Sequence, residues 1–132
     1  MLPVAARLRS AADFASVVRA GNRAGTRRLV VHLLSTGQDR PPRAGFVVSA
    51  KVGNSVVRHR ITRRLRPLVR DQLAGMAPGT ALVIRALPSA AAATSAELGL
   101  DLKSGLAAAV RKSGSGGRKL SIARPLTRGD SV

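Results

Sequence analysis

Apolar and polar positions follow several distinct registers along this chain. Phe14, Val17 and Val18 recur at helical steps after Ser10 and Asp13, which have the spacing of a capping box, and Gly21 ends the run. A short first helix over about 10–20 follows. Arg27–Ser35 (RRLVVHLLS) has the composition of a strand, and the cluster Gln38–Pro42 reads as a turn before a second extended run, Ala44–Ser49 (AGFVVS). These two runs are expected to pair as a hairpin. Gly53 breaks the chain, Asn54 or Ser55 can cap a long helix to about Ala74, and Pro78-Gly79 turns into Thr80–Leu87 (TALVIRAL), a buried strand. Thr94 and Glu97 again have capping-box spacing, and Leu98, Leu102, Leu106 and Val110 recur every fourth residue, predicting a last helix that the run Ala90–Ala93 can extend upstream. The order is α-β-β-α-β-α, with room for a further strand, in a single domain over residues 1–112. Residues 113–132 turn to Gly, Ser and scattered cations without an apolar period, the pattern of a disordered basic tail.

The stretch Lys51–Arg70 (KVGNSVVRHRITRRLRPLVR) holds the densest chemistry. At 100° per residue, Val57, Ile61, Leu65, Leu68 and Val69 form one stripe, while His59, Arg60, Arg63, Arg66 and Arg70 gather opposite. Arg58 and Arg64 flank the apolar stripe. Asp71 is the only neighbouring acid, so the row of like charges at helical spacing is not neutralised from within the helix. A partner that repays the repulsion explains the row better than solvation does. Pro67 removes one helical hydrogen bond, so the helix is expected to continue with a bend. Gly53-Asn54 ahead of the helix could form an anion nest, though a glycine there is more often only a turn.

Composition widens this to the whole chain. Its 132 residues carry 23 Lys+Arg against 6 Asp+Glu, a net charge of +17, and 19 of the cations are Arg. A compact body so charged calls for a polyanion, and arginine suits bidentate phosphate contacts. No apolar run reaches the length of a membrane span or a signal peptide, which makes a cytoplasmic protein the expectation. There is no Cys, Trp or Tyr and only 2 Phe. Thiol chemistry and Cys-based zinc sites are excluded, and base-stacking platforms are few. The acids Asp13, Asp39, Asp71, Glu97, Asp101 and Asp130 are dispersed, and neither His32 nor His59 has an acid at informative spacing. A free-standing protein nuclease is therefore disfavoured, and His59, on the arginine face, reads as an RNA contact.

Lys51, Gly53-Asn54-Ser55-Val56, Arg58-His59-Arg60 and Thr62-Arg63-Arg64-Leu65-Arg66 together resemble the signature of the protein subunit of bacterial ribonuclease P. Asp13-Phe14, the run Gly45–Ser49 and the run Leu82–Ala86 agree with it, so the resemblance covers about residues 7–111. It departs from the family pattern at His59, where Asn is usual, at Thr62, where Lys is usual, and at Val18 and His32, positions that are often aromatic.

The resemblance implies an α/β (α+β) two-layer sandwich of the ribosomal protein S5 domain 2-like type, with a mixed sheet and an arginine-rich crossover helix of left-handed sense, whereas about 98% of such connections are right-handed. It implies a holoenzyme that removes the 5′ leader of precursor tRNA, with a catalytic RNA subunit and Mg²⁺ held mainly by RNA. The protein alone, without catalytic or metal-binding residues of its own, would aid substrate and metal binding and broaden substrate range. Lys51, Asn54, Arg58, His59, Arg60, Arg63, Arg64, Arg66 and Arg70 are the expected contacts to the RNA subunit. Phe14, Val18, His32, Arg9, Arg19 and Arg28 are the expected leader groove, leaning on charge more than on stacking. The implied partners are that RNA and precursor tRNA, with no membrane and no obligate protein partner. The alternative is a non-catalytic RNA-binding module of ribosomal or RNA-chaperone type.

Overall fold

The computed structural model describes residues 7, 8 and 10–115. Three helices, α1 (Ala11–Ala20), α2 (Ser55–Leu73) and α3 (Ser95–Ser115), enclose a four-stranded sheet of β1 (Asn22–Gly25), β2 (Leu29–Ser35), β3 (Arg43–Val47) and β4 (Thr80–Ala86), and a 3-10 turn, Pro88–Ala92, precedes α3. The capping signals act as their spacing predicts. Ser10 accepts from Asp13 N at 3.0 Å, Asn54 Oδ1 accepts from Val57 N at 3.0 Å, and Thr94 and Glu97 close a reciprocal box with bonds of 2.9 and 3.1 Å. The helix α2 is continuous through Pro67, which lies on its exposed side together with Arg63.

Strand order is β1-β2-β4-β3, which corrects the expected pairing of β2 with β3. Both instead flank β4, antiparallel and parallel respectively, and the hairpin is β1–β2. Asn22–Gly25 has no apolar alternation of its own and is a strand because it pairs with β2. The run Ala90–Ala93 does not extend α3 either, since Ala93 is extended and Pro88–Ala92 coils as a separate 3-10 turn. At the other end α3 reaches Ser115, three residues into the segment read as a tail, and the rest of that segment lies outside the described residues.

The sheet has two unequal apolar faces. Leu29, Val31, Leu33, Leu82 and Ile84 meet Ile61, Leu65 and Val69 of α2 and Leu98, Leu102 and Leu106 of α3 in the larger core. On the opposite face Leu8, Val17, Ala81 and Val83 form a smaller cluster under α1 with Phe14 at its margin. The amides of Leu87 and Thr36 donate to the carbonyls of Arg28 and Gly79, so odd-numbered residues of β4 turn their backbone groups toward β2 while Ala81 and Val83 point to α1. For L residues this places β2 to the right of an upward β4 seen from α1, and β3 to the left. The helix joining β3 to β4 lies behind, and the crossover is left-handed, against the usual preference.

Candidate RNA interface

The six arginines of α2 divide by direction. Arg58 and Arg66 share a stripe with Ser55, His59 and Thr62 that lines an open pocket of about 490 Å³. Arg60 and Arg64 turn to the other side, where Arg60 Nη2 donates to Ala91 O at 3.0 Å and Arg64 Nη1 to Ala93 O at 2.6 Å. Those two guanidiniums tie α2 to the segment entering α3. Arg63 and Arg70 stand exposed on the outer surface, as does Lys51 in the turn before the helix. Asn54 is exposed and spends its side-chain oxygen on the helix cap.

The remaining wall of the pocket is Arg7, Leu8 and Phe14 with Ala44, Gly45, Phe46 and Val48 around β3. A Cβ at Gly45 would overlap the Phe14 ring, so glycine there lets α1 settle on the edge strand. The structure thus brings Phe14, expected in a leader groove, beside Arg58, His59 and Arg66, expected against the RNA subunit.

The face under α1 carries a second cationic group. Register sets Arg23, His32, Val83 and Gly45 in one row across the sheet and Val30, Arg85 and Val47 in the next. His32 is only 2% exposed, and neither ring nitrogen reaches solvent or a hydrogen-bond partner. Burial holds its pKa below the usual histidine value, and Arg85 and Arg23 push it the same way, so it is a neutral ring in the floor of this face. Val18 and Arg19 are exposed on α1. Arg9 lies outside the described residues. Arg28 points to the other side of the sheet, where it pairs with Glu97 Oε2 at 3.1 Å and Asp101 Oδ2 at 3.4 Å on α3, so it does not border a groove between α1 and the sheet. The Thr94 amide, and then Arg28, hold the Glu97 carboxyl below its usual range.

Arg23, Arg85, Arg7 and Phe46 border these surfaces although the sequence pattern does not single them out. Arg85 had a signal, being the lone cation in an apolar strand. Phe46 had only its rarity as an aromatic.

Among the described residues no group of three or more His, Asp or Glu side chains could hold a metal ion. Asp13 pairs with Arg43 at 3.4 Å, and Glu97 and Asp101 share Arg28. No helix of the described residues is long and apolar enough to cross a membrane.

A family model described as Ribonuclease P matches residues 2–110. The chain is 53% identical over 114 residues to the ribonuclease P protein component of Streptomyces griseus, covering 80% of this chain and 93% of that one. It is 51% identical over 106 residues to that of Beutenbergia cavernae, covering 80% and 89%. The fold is similar to the solved RNase P protein of Staphylococcus aureus, with a TM-score of 0.72 at 26% identity over 80% of this chain and 95% of that one. The Thermotoga maritima RNase P protein, at 23% identity, shares the fold with a TM-score of 0.65, over 80% and 96% of the two chains.

Proposed function

The chain belongs to the ribonuclease P protein family, and from that premise we propose that it binds the 5′ leader of precursor tRNA and strengthens substrate and metal binding by a catalytic RNA subunit. Membership makes it the protein component of a tRNA-processing ribonucleoprotein whose holoenzyme is the nuclease. The observation that carries the finer reading is the pocket where Arg58, His59 and Arg66 of α2 face Phe14 of α1, with no acid in its lining. Cations there neutralise phosphate and release counterions, while an aromatic ring accepts an unstacked base.

The acids described above are dispersed or committed to arginines, a poor donor set for Mg²⁺. In this reading RNA phosphates would hold the divalent ions, which would supply an activated water, in the cytoplasm, and the protein's residues bind and orient RNA. The generic RNA-chaperone alternative is disfavoured by the family match across residues 2–110.

The test is cleavage of precursor tRNA with Mg²⁺ by protein alone, by the cognate RNA subunit alone, and by both, from low to physiological salt. Cleavage by the pair at physiological salt, where the RNA alone is weak, supports the reading. Cleavage by protein alone, or no change on adding protein, refutes it.

A further inference from the structure

The sheet has a second edge, β1, at the opposite end of the strand order from β3. Beneath the β1–β2 hairpin, α3 runs from the turn, where Glu97 and Asp101 pair with Arg28, to the open end, where Lys112 Nζ donates to Arg23 O. Gly105, midway along, lets the helix settle on the hairpin, since a Cβ there would meet Val31 Cγ2 at 2.8 Å. From the other face α1 arrives at the same open end, because Gly21 alone separates it from Asn22 of β1. Arg19 and Arg23 thus share this corner with Arg111 and Lys112, and all four are exposed. Among the described residues no ion pair engages Arg19, Arg23 or Arg111, whereas Asp13, Glu97 and Asp101 are paired elsewhere. In sequence the charge continues. The family match stops at residue 110, and after it come six cations, Arg111, Lys112, Arg118, Lys119, Arg124 and Arg128, against the single acid Asp130. The dipole of α3 accounts for cations in its last turn, but not for a run that goes on to Arg128.

We propose that this corner, with the cationic segment that follows it, is a second RNA contact that holds phosphates of the upstream part of the 5′ leader. The proposal rests on the leader-binding reading above and adds to it a site at the far edge of the sheet, outside the family signature. Arg85 and Arg23 stand in adjoining rows on the α1 face and mark a cationic way from β4 to β1. From β3 to β1 the sheet measures about 14 Å, three strand spacings. A single strand laid across it therefore reaches β1 within a few nucleotides and leaves the sheet beside Arg19 and Arg23. Cations placed there neutralise phosphate and release counterions without reading bases.

The test uses holoenzyme reconstituted from the full chain and the RNA subunit, with precursor tRNAs whose leaders are lengthened one nucleotide at a time. One variant carries Arg111→Gln, Arg118→Gln, Lys119→Gln, Arg124→Gln and Arg128→Gln. A second keeps the charge with Arg111→Lys, Arg118→Lys, Arg124→Lys and Arg128→Lys. Affinity is titrated at several salt concentrations. For wild type, a leader long enough to pass β1 should steepen the slope of log K against log salt by about 0.7 per phosphate held, roughly two- to threefold in affinity between 50 and 200 mM salt. The Gln variant should lose that last gain while binding short leaders as wild type does, and the Lys variant should keep it. The proposal is overturned if the Gln variant gains with leader length as wild type does. It is equally overturned if the Gln variant binds every leader, and leaderless tRNA, more weakly by one common factor, since the segment would then act on another part of the RNA or on folding. Should the five-site variant fail to fold, Arg124→Gln with Arg128→Gln leaves α3 untouched and is read the same way, with a loss of at least about 0.7 in slope. Failure of the leader-binding reading looks different, because no leader of any length would then raise the affinity of wild type.

Discussion

Replacing Arg60 and Arg64 together by Gln separates two kinds of arginine on α2. Both donate to main-chain carbonyls of the segment entering α3, at 3.0 and 2.6 Å, from half-buried positions. A hydrogen bond from a charged donor is worth about 1.5–3 kcal/mol when well shielded, and solvent at these sites reduces that to about 1 kcal/mol each. For a domain of this size 1 kcal/mol moves the melting midpoint by about 4–8 °C, so the double variant should melt at least about 8 °C lower. Arg63 and Arg70 are exposed and their side chains bond no described residue, so Arg63→Gln with Arg70→Gln should shift stability by less than about 0.5 kcal/mol per site. Their effect belongs in the salt dependence of binding to the RNA subunit, where each lost phosphate contact flattens the slope of log K against log salt by about 0.7–0.9. Thermal melts by circular dichroism and affinity titrations at four or five salt concentrations measure both quantities. If the Arg60/Arg64 pair flattened the salt slope while leaving the melt intact, the assignment of those guanidiniums to the carbonyls would be wrong.

Three further outcomes follow from packing and charge. His32 has a folded-state pKa below its unfolded value, so the unfolded chain takes up the proton first and stability falls as pH drops below about 6.5, being fully retained above it; melts at pH 7.5 and 5.5 should diverge more for wild type than for His32→Leu. Pro67→Ala restores the amide that can bond Arg63 O inside a continuous helix, and denaturant unfolding should show a gain of about 1–2 kcal/mol, the ~3 kcal/mol helix cost of Pro less its entropic benefit in the unfolded chain. Gly45→Ala pushes a methyl into the Phe14 ring and should cost about 1–3 kcal/mol, most of it recovered in the double variant with Phe14→Leu; a Gly45→Ala protein as stable as wild type would show that α1 does not rest on that strand.

Much of the secondary structure was legible because its determinants are local. The caps at Ser10, Asn54 and Thr94, the apolar stripe of α2 and the four-residue period of α3 each lie within one or two turns of the residues they order. Strand order was not legible. Alternation in Leu29–Ser35 and Arg43–Val47 tells each residue its face but names no neighbour, and β4, far along the chain, separates the two strands that a short turn seemed to join. The same limit hid β1, a strand only by virtue of its partner, and the left hand of the crossover was expected from the family resemblance alone, since no local feature of the chain explains it.

For the site, the chain alone determined how much positive charge there is, how few acids oppose it, and that one helix concentrates it within the family signature. Where each charge goes was decided by tertiary structure. Arg60 and Arg64 leave α2 on the side where the carbonyls of Ala91 and Ala93 lie, 31 and 29 residues away, whereas Arg58 and Arg66 leave it on the pocket side. Arg28 found two carboxylates on α3, His32 was roofed over, and the chain's two phenylalanines met around one strand edge. Local periodicity sets which way a side chain leaves its own element, whereas packing between elements sets what it meets there.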